Sequence, residues 1–520
     1  MKRKKWISLT MALIMVGNLL PMQLKADAAS ISDEVREDII AINSYLQGIL
    51  VGTEAVDINE DGCINAVDLT LAKRDLLGDN TPALKPLRAD TWDIYLNEEA
   101  TVTFTVQTVS ITDPVILYDE ADDVLAEMHD DGKNGDKTAG DSIYTATAVL
   151  SSDKTKNAGY YAAAGELRSE PFEICFYRDM EDEDISGFLT LFWKISEMSF
   201  DEASEFIMQS DEISSFSADE ELKQIWYQSV YGIQGCFEEP QESEEQTLGS
   251  GVRIDISDGG YDYKAAEEYI EANTFTPAHP DKRDVIVLRP FQKNLPKPVF
   301  SRAGELLANA LDGSLTELDD QDVTLEQLKN LDSYGTVLLN THGVLVDSNR
   351  DESIPSVIYL LTGESVPNGN IDIAFPWQSY SADFWAGRVA CFGAGSSYRI
   401  SVSYKFFDKY YASGSLDQSF WFLGACYSLH NYQLADTLIS KGAGAVIGYS
   451  DVTSTHYCYK TMLETVINSM VLNAENVKKA VLESKARYGY FDPYNPENEM
   501  RFRGRPHFKL VEAAGDNTVL

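Results

Sequence analysis

The C-terminal part of the chain alternates between short apolar runs and amphipathic stretches. Residues 285–288, 336–339 and 420–425 form almost continuous apolar runs with the length of a buried strand. Residues 299–311 and 434–439 carry their apolar positions on one face, as amphipathic helices do. Because strands and helices alternate along the chain, this pattern predicts an α/β domain with a mainly parallel sheet.

The region 89–178 has the pattern of β-structure instead. Residues 100–107 alternate between apolar and polar side chains, and residues 171–177 form another β-prone run, so we expect a β-sandwich. Its Asp- and Gly-rich loop, residues 130–141, looks like the turns of bacterial immunoglobulin-like spacer domains. Both a plain turn and a second calcium site are compatible with this loop.

The segment 179–282 separates these two regions. Residues 179–250 are acidic and helical in pattern, and they end in the polar run 241–246, which is followed by Gly249 and Gly251. We interpret 179–282 as an acidic helical linker or a pro-segment.

The N-terminus has the pattern of a secretory signal peptide. Basic residues at positions 2–5 precede the apolar stretch 6–20, and Ala26-Asp27-Ala28 has the small residues that signal peptidase reads. Residues 1–28 are therefore predicted to be removed and the protein to be secreted and extracellular. No other stretch is apolar enough to cross a bilayer, so we expect no membrane span.

The composition is that of a folded, multidomain protein. The 520 residues are 44 % hydrophobic and 24 % charged, and 42 basic against 83 acidic residues give a formal charge of −41. Such a surface repels nucleic acid and anionic membranes, so we expect no nucleic-acid partner and regard an anionic membrane as a poor one. The 6 cysteines lack CxxC spacing and therefore indicate neither a zinc site nor a dense disulfide framework.

A calcium-binding loop follows the signal peptide. Oxygen-bearing side chains recur at the spacing of a calcium loop, with Gly62 at the sharp turn. The predicted Ca²⁺ ligands are Asp57, Asn59, Asp61, Cys63, Asn65 and Asp68. The unit is duplicated at an offset of thirty residues, since Asp38 matches Asp68 and Gly48 matches Gly78. The first loop has Ala29 and Ile31 at ligand positions, so we expect calcium only in the second loop.

The motif DINEDGCINAVDLTLAKRDLLG resembles a dockerin, a duplicated module that attaches secreted enzymes to cohesin domains of a scaffold protein. The resemblance implies a small α-helical, calcium-binding dockerin over residues 29–80 and a cellulosome-like scaffold complex, which could lie at the cell surface. It places the cohesin-binding positions at Ala66, Val67, Lys73 and Arg74. A generic calcium loop without a cohesin partner is the alternative, and the degenerate first loop departs from the family's two-calcium pattern.

One histidine and one cysteine follow two of the predicted parallel strands. His342 lies in the sequence NTHG after the run 336–339, and Cys426 lies in GACYS at the end of the run 420–425. The carboxyl ends of parallel strands lie at one edge of a sheet, where ligands bind. A thiol and an imidazole brought together there have the groups required for nucleophilic catalysis.

These two motifs resemble the clan of cysteine peptidases that includes caspases, gingipains, clostripain and legumain. The resemblance covers residues 283–520 and implies a caspase-like cysteine endopeptidase that acts on a protein or peptide. By this resemblance, Cys426 is the nucleophile, His342 is the general acid/base, and the backbone amides of Gly343 and Cys426 line the oxyanion hole. Two features depart from the family. An insertion is expected around residues 345–415, and Gly424 replaces the aspartate with which clostripain-like enzymes recognise arginine.

Several alternatives remain at the level of sequence. Cys391 is a second candidate nucleophile, and His430 and His456 are further candidate bases, although neither histidine ends an apolar strand with glycine after it. Proteins with a dockerin are most often glycoside hydrolases, which need a pair of carboxylates. A scaffold-docked binding protein with an inactive peptidase-like domain is the non-enzymatic alternative.

Overall fold

The structure is a computed structural model that describes residues 82–133, 135–220, 223–238, 261–279, 281–293, 298–346, 356–367, 375–394 and 397–512. These residues belong to two compact units with mixed α/β content, so the protein is multidomain. One unit includes residues 82–90, 102–148 and 159–172, and the other includes residues 91–101, 149–158 and 173–512. The predicted signal peptide, residues 1–28, and the dockerin-like region 29–80 lie outside the described residues.

Residues 83–177 form two β-sheets, as the alternating pattern predicts. Their strands are Ala83–Leu84 (β1), Arg88–Ala89 (β2), Asp93–Tyr95 (β3), Ala100–Val109 (β4), Val115–Asp119 (β5), Val124–Met128 (β6), Ile143–Leu150 (β7), Lys156–Ala164 (β8), Leu167–Arg168 (β9) and Phe172–Tyr177 (β10). Strands β1, β2 and β7 all pair with β4, and the other sheet has the order β3-β10-β8-β5-β6 with β9 beside β8. Phe104 of β4 contacts Tyr160 of β8, with 5.3 Å between the ring centroids, and both side chains are buried.

The segment 179–282 contains strands as well as helices. The helices are Asp182–Ser196 (α1), Phe200–Gln209 (α2) and Tyr263–Ala272 (α3), and the strands are Ile213–Asp219 (β11), Gln224–Ser229 (β12), Gln234–Glu238 (β13) and Thr276–Pro277 (β14). The helical prediction therefore agrees with residues 182–209 and is wrong for residues 213–238. Buried and partly exposed residues alternate along β12, a period of two that the acidic composition of the segment obscures.

The C-terminal region alternates between strands and helices. Its strands are Val285–Arg289 (β15), Leu315–Asp319 (β16), Thr336–Asn340 (β17), Gly343–Val346 (β18), Val357–Pro367 (β19), Val389–Ala394 (β20), Ser397–Ser403 (β21), Phe420–Gly424 (β22), Ala445–Tyr449 (β23), Met500–Gly504 (β24) and Val511–Glu512 (β25). Its helices are Val299–Leu311 (α4), Leu325–Leu328 (α5), Ser381–Trp385 (α6), Tyr404–Tyr410 (α7), Gln433–Ser440 (α8), Thr455–Met462 (α9), which continues as the π-helix Leu463–Leu472, and Val477–Tyr488 (α10).

A six-stranded, mainly parallel sheet organises this region, as the sequence predicts. Its order is β16-β15-β17-β22-β23-β24, and every neighbouring pair is parallel except the last. Its four central strands, β15, β17, β22 and β23, are buried on both faces, so successive residues enter different cores. Ile286 and Leu288 of β15 belong to one hydrophobic core, and Val285 and Val287 belong to another.

The chain between His342 and Cys426 forms most of a second sheet. This sheet has the order β11-β12-β13-β20-β21-β19-β18, and four of its strands, β18–β21, come from residues 343–403, where the sequence predicted an insertion. Strand β13 adds the earlier segment through a parallel pairing of Gly235 with Cys391. Tyr227 of β12 is fully buried in a hydrophobic core that also contains residues of the six-stranded parallel sheet. Residues 213–238 are therefore part of the folded unit.

Candidate active site

The fold brings His342 and Cys426 to the same edge of the parallel sheet. Strands β17 and β22 are neighbours, and Asn340 pairs with Gly424 at their carboxyl ends. Just beyond this pair, the Thr341 N–H donates to the Gly424 carbonyl over 3.1 Å, which holds the two strand exits side by side. His342 and Cys426 each lie two residues past the end of their strand, so both residues lie just beyond the same edge of the sheet.

Gly343 packs directly against the backbone of Cys426. A Cβ atom added at Gly343 would lie 1.9 Å from the Cys426 carbonyl oxygen and 3.3 Å from its amide nitrogen, so only glycine fits there. The Leu361 N–H donates to the His342 carbonyl over 3.0 Å. In the antiparallel ladder of β18 and β19, Gly343 and Leu360 are therefore a non-hydrogen-bonded pair. The N–H of such a residue points away from its partner strand. The Gly343 amide is therefore directed away from β19, and Cys426 lies against the same glycine.

The Cys426 thiol lies in a nearly closed environment. The residue is 7 % exposed, and its Sγ accepts a hydrogen bond from the Thr453 N–H at 3.4 Å. Burial raises the pKa of the thiol to about 11, against the lowering effect of the Thr453 amide, and the charge of Asp451 raises it further. The thiol is thus protonated at neutral pH and requires a base before it can attack a carbonyl.

The residue after the thiol has an unusual backbone conformation. Tyr427 has φ of +57°, in the left-handed region that is costly for a side chain of this size. Its N–H donates to the Asp451 carbonyl over 3.1 Å, so the turn after β22 is tied to the turn after β23. Such strain is found where a fold holds a residue in one position, and here it fixes the turn that carries the thiol.

An aromatic ring contacts the imidazole of His342. Phe291, which is 2 % exposed, lies edge-to-face against His342 with 4.5 Å between the ring centroids. The guanidinium of Arg399 lies 5.0 Å from the centroid of the Phe291 ring, and Arg399 Nη1 donates to the Gly363 carbonyl over 3.0 Å. The His342 imidazole therefore packs against the buried Phe291 ring, which also contacts the Arg399 guanidinium.

Sequence reasoning missed Phe291 and Thr453. Phe291 lies two residues past the end of β15, the same offset as His342 and Cys426. A search for residues two positions after each apolar strand, which we call the strand-end rule, could therefore have found it. Thr453 acts through its backbone amide, for which no side-chain signal exists.

The alternative residues occupy other positions. Cys391 is fully buried within β20 of the seven-stranded sheet, and burial raises the pKa of its thiol. His430 Nδ1 is 2.8 Å from the Ser450 carbonyl oxygen, which gives that imidazole a structural partner. His456 lies in the first turn of α9 against the Tyr494 ring.

The calcium predictions concern two different loops. The predicted dockerin-like calcium ligands and the predicted cohesin-binding positions lie outside the described residues. In the 130–141 loop, Asp130, Asp136 and Asp141 each place one carboxylate oxygen within 4.8 Å of the others. These carboxylates also accept backbone N–H bonds, among them Gly132 to Asp136 and Gly140 to Asp130, both at 2.6 Å. Such bonds stabilise an Asp/Gly turn with or without a cation, so both interpretations of the loop stay open.

Across the described ranges, no helix is both long and apolar enough to cross a membrane. Comparisons of the chain with protein-family models, with curated proteins and with solved structures find no match.

Proposed function

We propose that the protein is a secreted cysteine endopeptidase in which Cys426 is the nucleophile and His342 is the general acid/base. The observation that carries the proposal is the pairing of Asn340 with Gly424, because it brings the two strand exits together at one sheet edge. The packing of Gly343 against Cys426 supports the same assignment.

The proposed reaction consists of thiol attack followed by hydrolysis of a thioester. His342 takes the proton of the buried thiol as the sulfur attacks the peptide carbonyl, because a thiol with a pKa of about 11 supplies little thiolate by itself. The amides of Gly343 and Cys426 donate to the oxyanion of the tetrahedral intermediate. The imidazolium then protonates the leaving amine, and water hydrolyses the thioester with His342 as the base.

The N-terminal region supplies the location of the enzyme in this proposal. The dockerin-like motif, with Ca²⁺ in its second loop, binds a cohesin domain of a scaffold protein. The β-sheets of residues 83–177 act as an immunoglobulin-like spacer between this module and the caspase-like domain. The support for this part is the sequence motif alone.

Cleavage of a mixed peptide library, read by mass spectrometry, tests the catalytic assignment. The mature protein is compared with its Cys426→Ala and His342→Ala variants under reducing conditions, with calcium and with a chelator. Cys391→Ala is the matched control, because it removes a different buried thiol. We expect cuts with the parent and the control and none with the two site variants. Cuts that persist in Cys426→Ala would refute the assignment.

The burial of the thiol favours a second candidate function, a scaffold-docked binding protein whose peptidase-like domain is inactive. Reactive cysteines usually have a lowered pKa and some exposure, and Cys426 has neither. The same library experiment separates the two functions, since a binding protein would produce no cuts under any condition.

A further inference from the structure

Three large rings are exposed on one loop of the second unit. The loop follows α10, and its Tyr490, Phe491 and Tyr494 are 57 %, 53 % and 43 % exposed. Single exposed rings are ordinary on a protein surface, but three on five consecutive residues make this loop a candidate interaction site. We call these three residues the aromatic loop.

The aromatic loop has a rigid base. Asp492, which is 1 % exposed, accepts hydrogen bonds from the Ser454 N–H at 2.7 Å and from Ser454 Oγ at 3.0 Å. Asn498 is fully buried and accepts from the Asp451 N–H at 3.1 Å. Asn495 Nδ2 donates to the Val452 carbonyl over 2.9 Å. Because its polar side chains are used in this way, the loop displays its rings on a fixed support.

The base of the aromatic loop is continuous with the thiol site. The segment 451–454 that receives Asp492, Asn495 and Asn498 also contacts the nucleophile, since the Thr453 N–H donates to Cys426 Sγ at 3.4 Å. The Asp451 carbonyl accepts a hydrogen bond from the N–H of Tyr427, the residue that follows Cys426. One hydrogen-bonded turn therefore connects the reacting sulfur to the displayed rings.

We infer that the aromatic loop is a substrate subsite that binds a large apolar or aromatic side chain of the peptide, at a position removed from the scissile bond. The inference rests on the proposed function, because continuity with Cys426 is what identifies the occupant as the substrate. The rings offer apolar area, and the Asp492 carboxylate, Asn498 Oδ1 and Asn495 Nδ2 beneath them are already bonded to Ser454, Asp451 and Val452. A sugar would need such groups for its hydroxyls, whereas an apolar side chain does not.

Peptide binding to the Cys426→Ala protein tests the subsite without requiring cleavage. The probes are decapeptide pools in which each position in turn is fixed as Phe, Leu, Ser or Asp, and bound peptides are quantified by mass spectrometry. The Tyr490→Ala/Phe491→Ala double variant in the same background removes two rings. Tyr269→Ala is the control, because Tyr269 is 46 % exposed on α3, outside the aromatic loop. Thermal unfolding checks that each variant is folded, and Tyr494→Ala serves as a second test.

We expect the Cys426→Ala protein, the parent in this experiment, to select Phe or Leu at one peptide position. The double variant should bind those pools about 10-fold more weakly, and the Tyr269→Ala control should bind them as the parent does. Equal binding by the double variant, or no peptide binding by the parent, would overturn the subsite. So would loss of cellohexaose binding by the double variant with peptide binding intact, which would make the loop a carbohydrate platform. Cleavage by the Cys426-containing protein tests the proposed function separately, so failure of the subsite can be told apart from failure of the proposed function.

Discussion

At the scale of single residues, Gly343 determines how closely the two strand exits approach. The absence of a side chain lets its backbone touch the Cys426 carbonyl, and Thr341 has already tied the exits together one step earlier. If position 343 only ended a strand, alanine would be tolerated there. The Cys426 carbonyl lies so close that alanine does not fit.

We predict that Gly343→Ala moves the histidine exit away from Cys426. A Cβ at 1.9 Å from a backbone oxygen cannot be accommodated by a side-chain rotation, so the backbone must shift. We expect about 100-fold lower kcat/KM, on the order expected for a displaced catalytic group, and a free energy of unfolding lowered by about 1–3 kcal/mol. Peptide cleavage and urea unfolding measure the two effects. Gly414→Ala is a useful comparison, because a Cβ there meets no atom within 4 Å, although its φ of +80° brings some backbone strain. Full activity in Gly343→Ala would contradict the proposed site.

We predict that alkylation of Cys426 is slow at neutral pH and accelerates with alkalinity. Burial keeps the pKa of this thiol at about 11, so the thiolate fraction rises about tenfold per pH unit up to that value. Iodoacetamide labelling between pH 7 and 10, followed by peptide mapping, measures the rate for each cysteine. Cys458 has a pKa raised by burial to about 12 and serves as an internal reference, which we expect to react later. Rapid labelling of Cys426 at pH 7 would mean that the thiolate is stabilised.

The strand-end rule explains which site residues could be found from sequence. His342 and Cys426 follow apolar runs that are easy to recognise, and their meeting needs only the assumption of neighbouring parallel strands. Phe291 and Asp451 also lie two residues past strands of this sheet. The low exposure of Cys426 could not be predicted, because it depends on the Thr453 turn.

At the scale of elements, the parallel pairing of β13 with β20 joins parts of the chain that are about 150 residues apart in the sequence. This pairing adds β11–β13 to the sheet formed between His342 and Cys426. Ile225, Tyr227 and Phe237 from these strands are buried in the core that also covers one face of the parallel sheet. The earlier segment therefore acts as part of the domain fold.

We predict that a chain beginning at residue 261 does not fold. It lacks helices α1 and α2 and strands β11–β13, whose buried side chains contribute about 1.5–3 kcal/mol each, against a total stability of about 5–15 kcal/mol. Circular dichroism and near-UV spectra of the purified fragment measure the loss. A chain beginning at residue 81 is the matched control and should keep cooperative unfolding. A truncated chain with native-like cooperative unfolding would show that residues 179–238 are dispensable, as a pro-segment would be.

The sequence predicted the parallel sheet more accurately than this second sheet, for a physical reason. Helix α4 and strand β15 have nearly the predicted limits, since their burial pattern is set by local apolar runs. Strand β12 has buried residues only at alternate positions, and it lies within an acidic segment. Its partner β13 reaches β20 through a long-range pairing that no local pattern indicates.

At the scale of the whole molecule, the second unit buries several weak acids near the candidate site. Cys426, Cys458, Tyr457 and Tyr459 are all less than 10 % exposed, and burial is the main cause of the raised pKa of each group. The pKa of Cys426 is about 11, and those of the other three are about 12. These groups link the free energy of unfolding to pH on the alkaline side.

We predict that the protein loses stability above about pH 9. In the unfolded chain these thiols and phenols ionise near pH 9–10, whereas in the folded protein they keep their protons to pH 11–12. The unfolded state therefore binds fewer protons in this interval, and the free energy of unfolding must fall as pH rises. The slope reaches about 1.4 kcal/mol per pH unit for each group that differs fully. Urea unfolding at pH 7.5, 8.5, 9.5 and 10.5 measures it. Cys426→Ala removes one of the groups and should have a shallower decline between pH 8.5 and 10.5, whatever its effect at pH 7.5. A free energy of unfolding that stays constant to pH 10.5 would show that these groups ionise as easily in the folded protein as in water. That result would contradict the conclusion that burial raises the pKa of the Cys426 thiol.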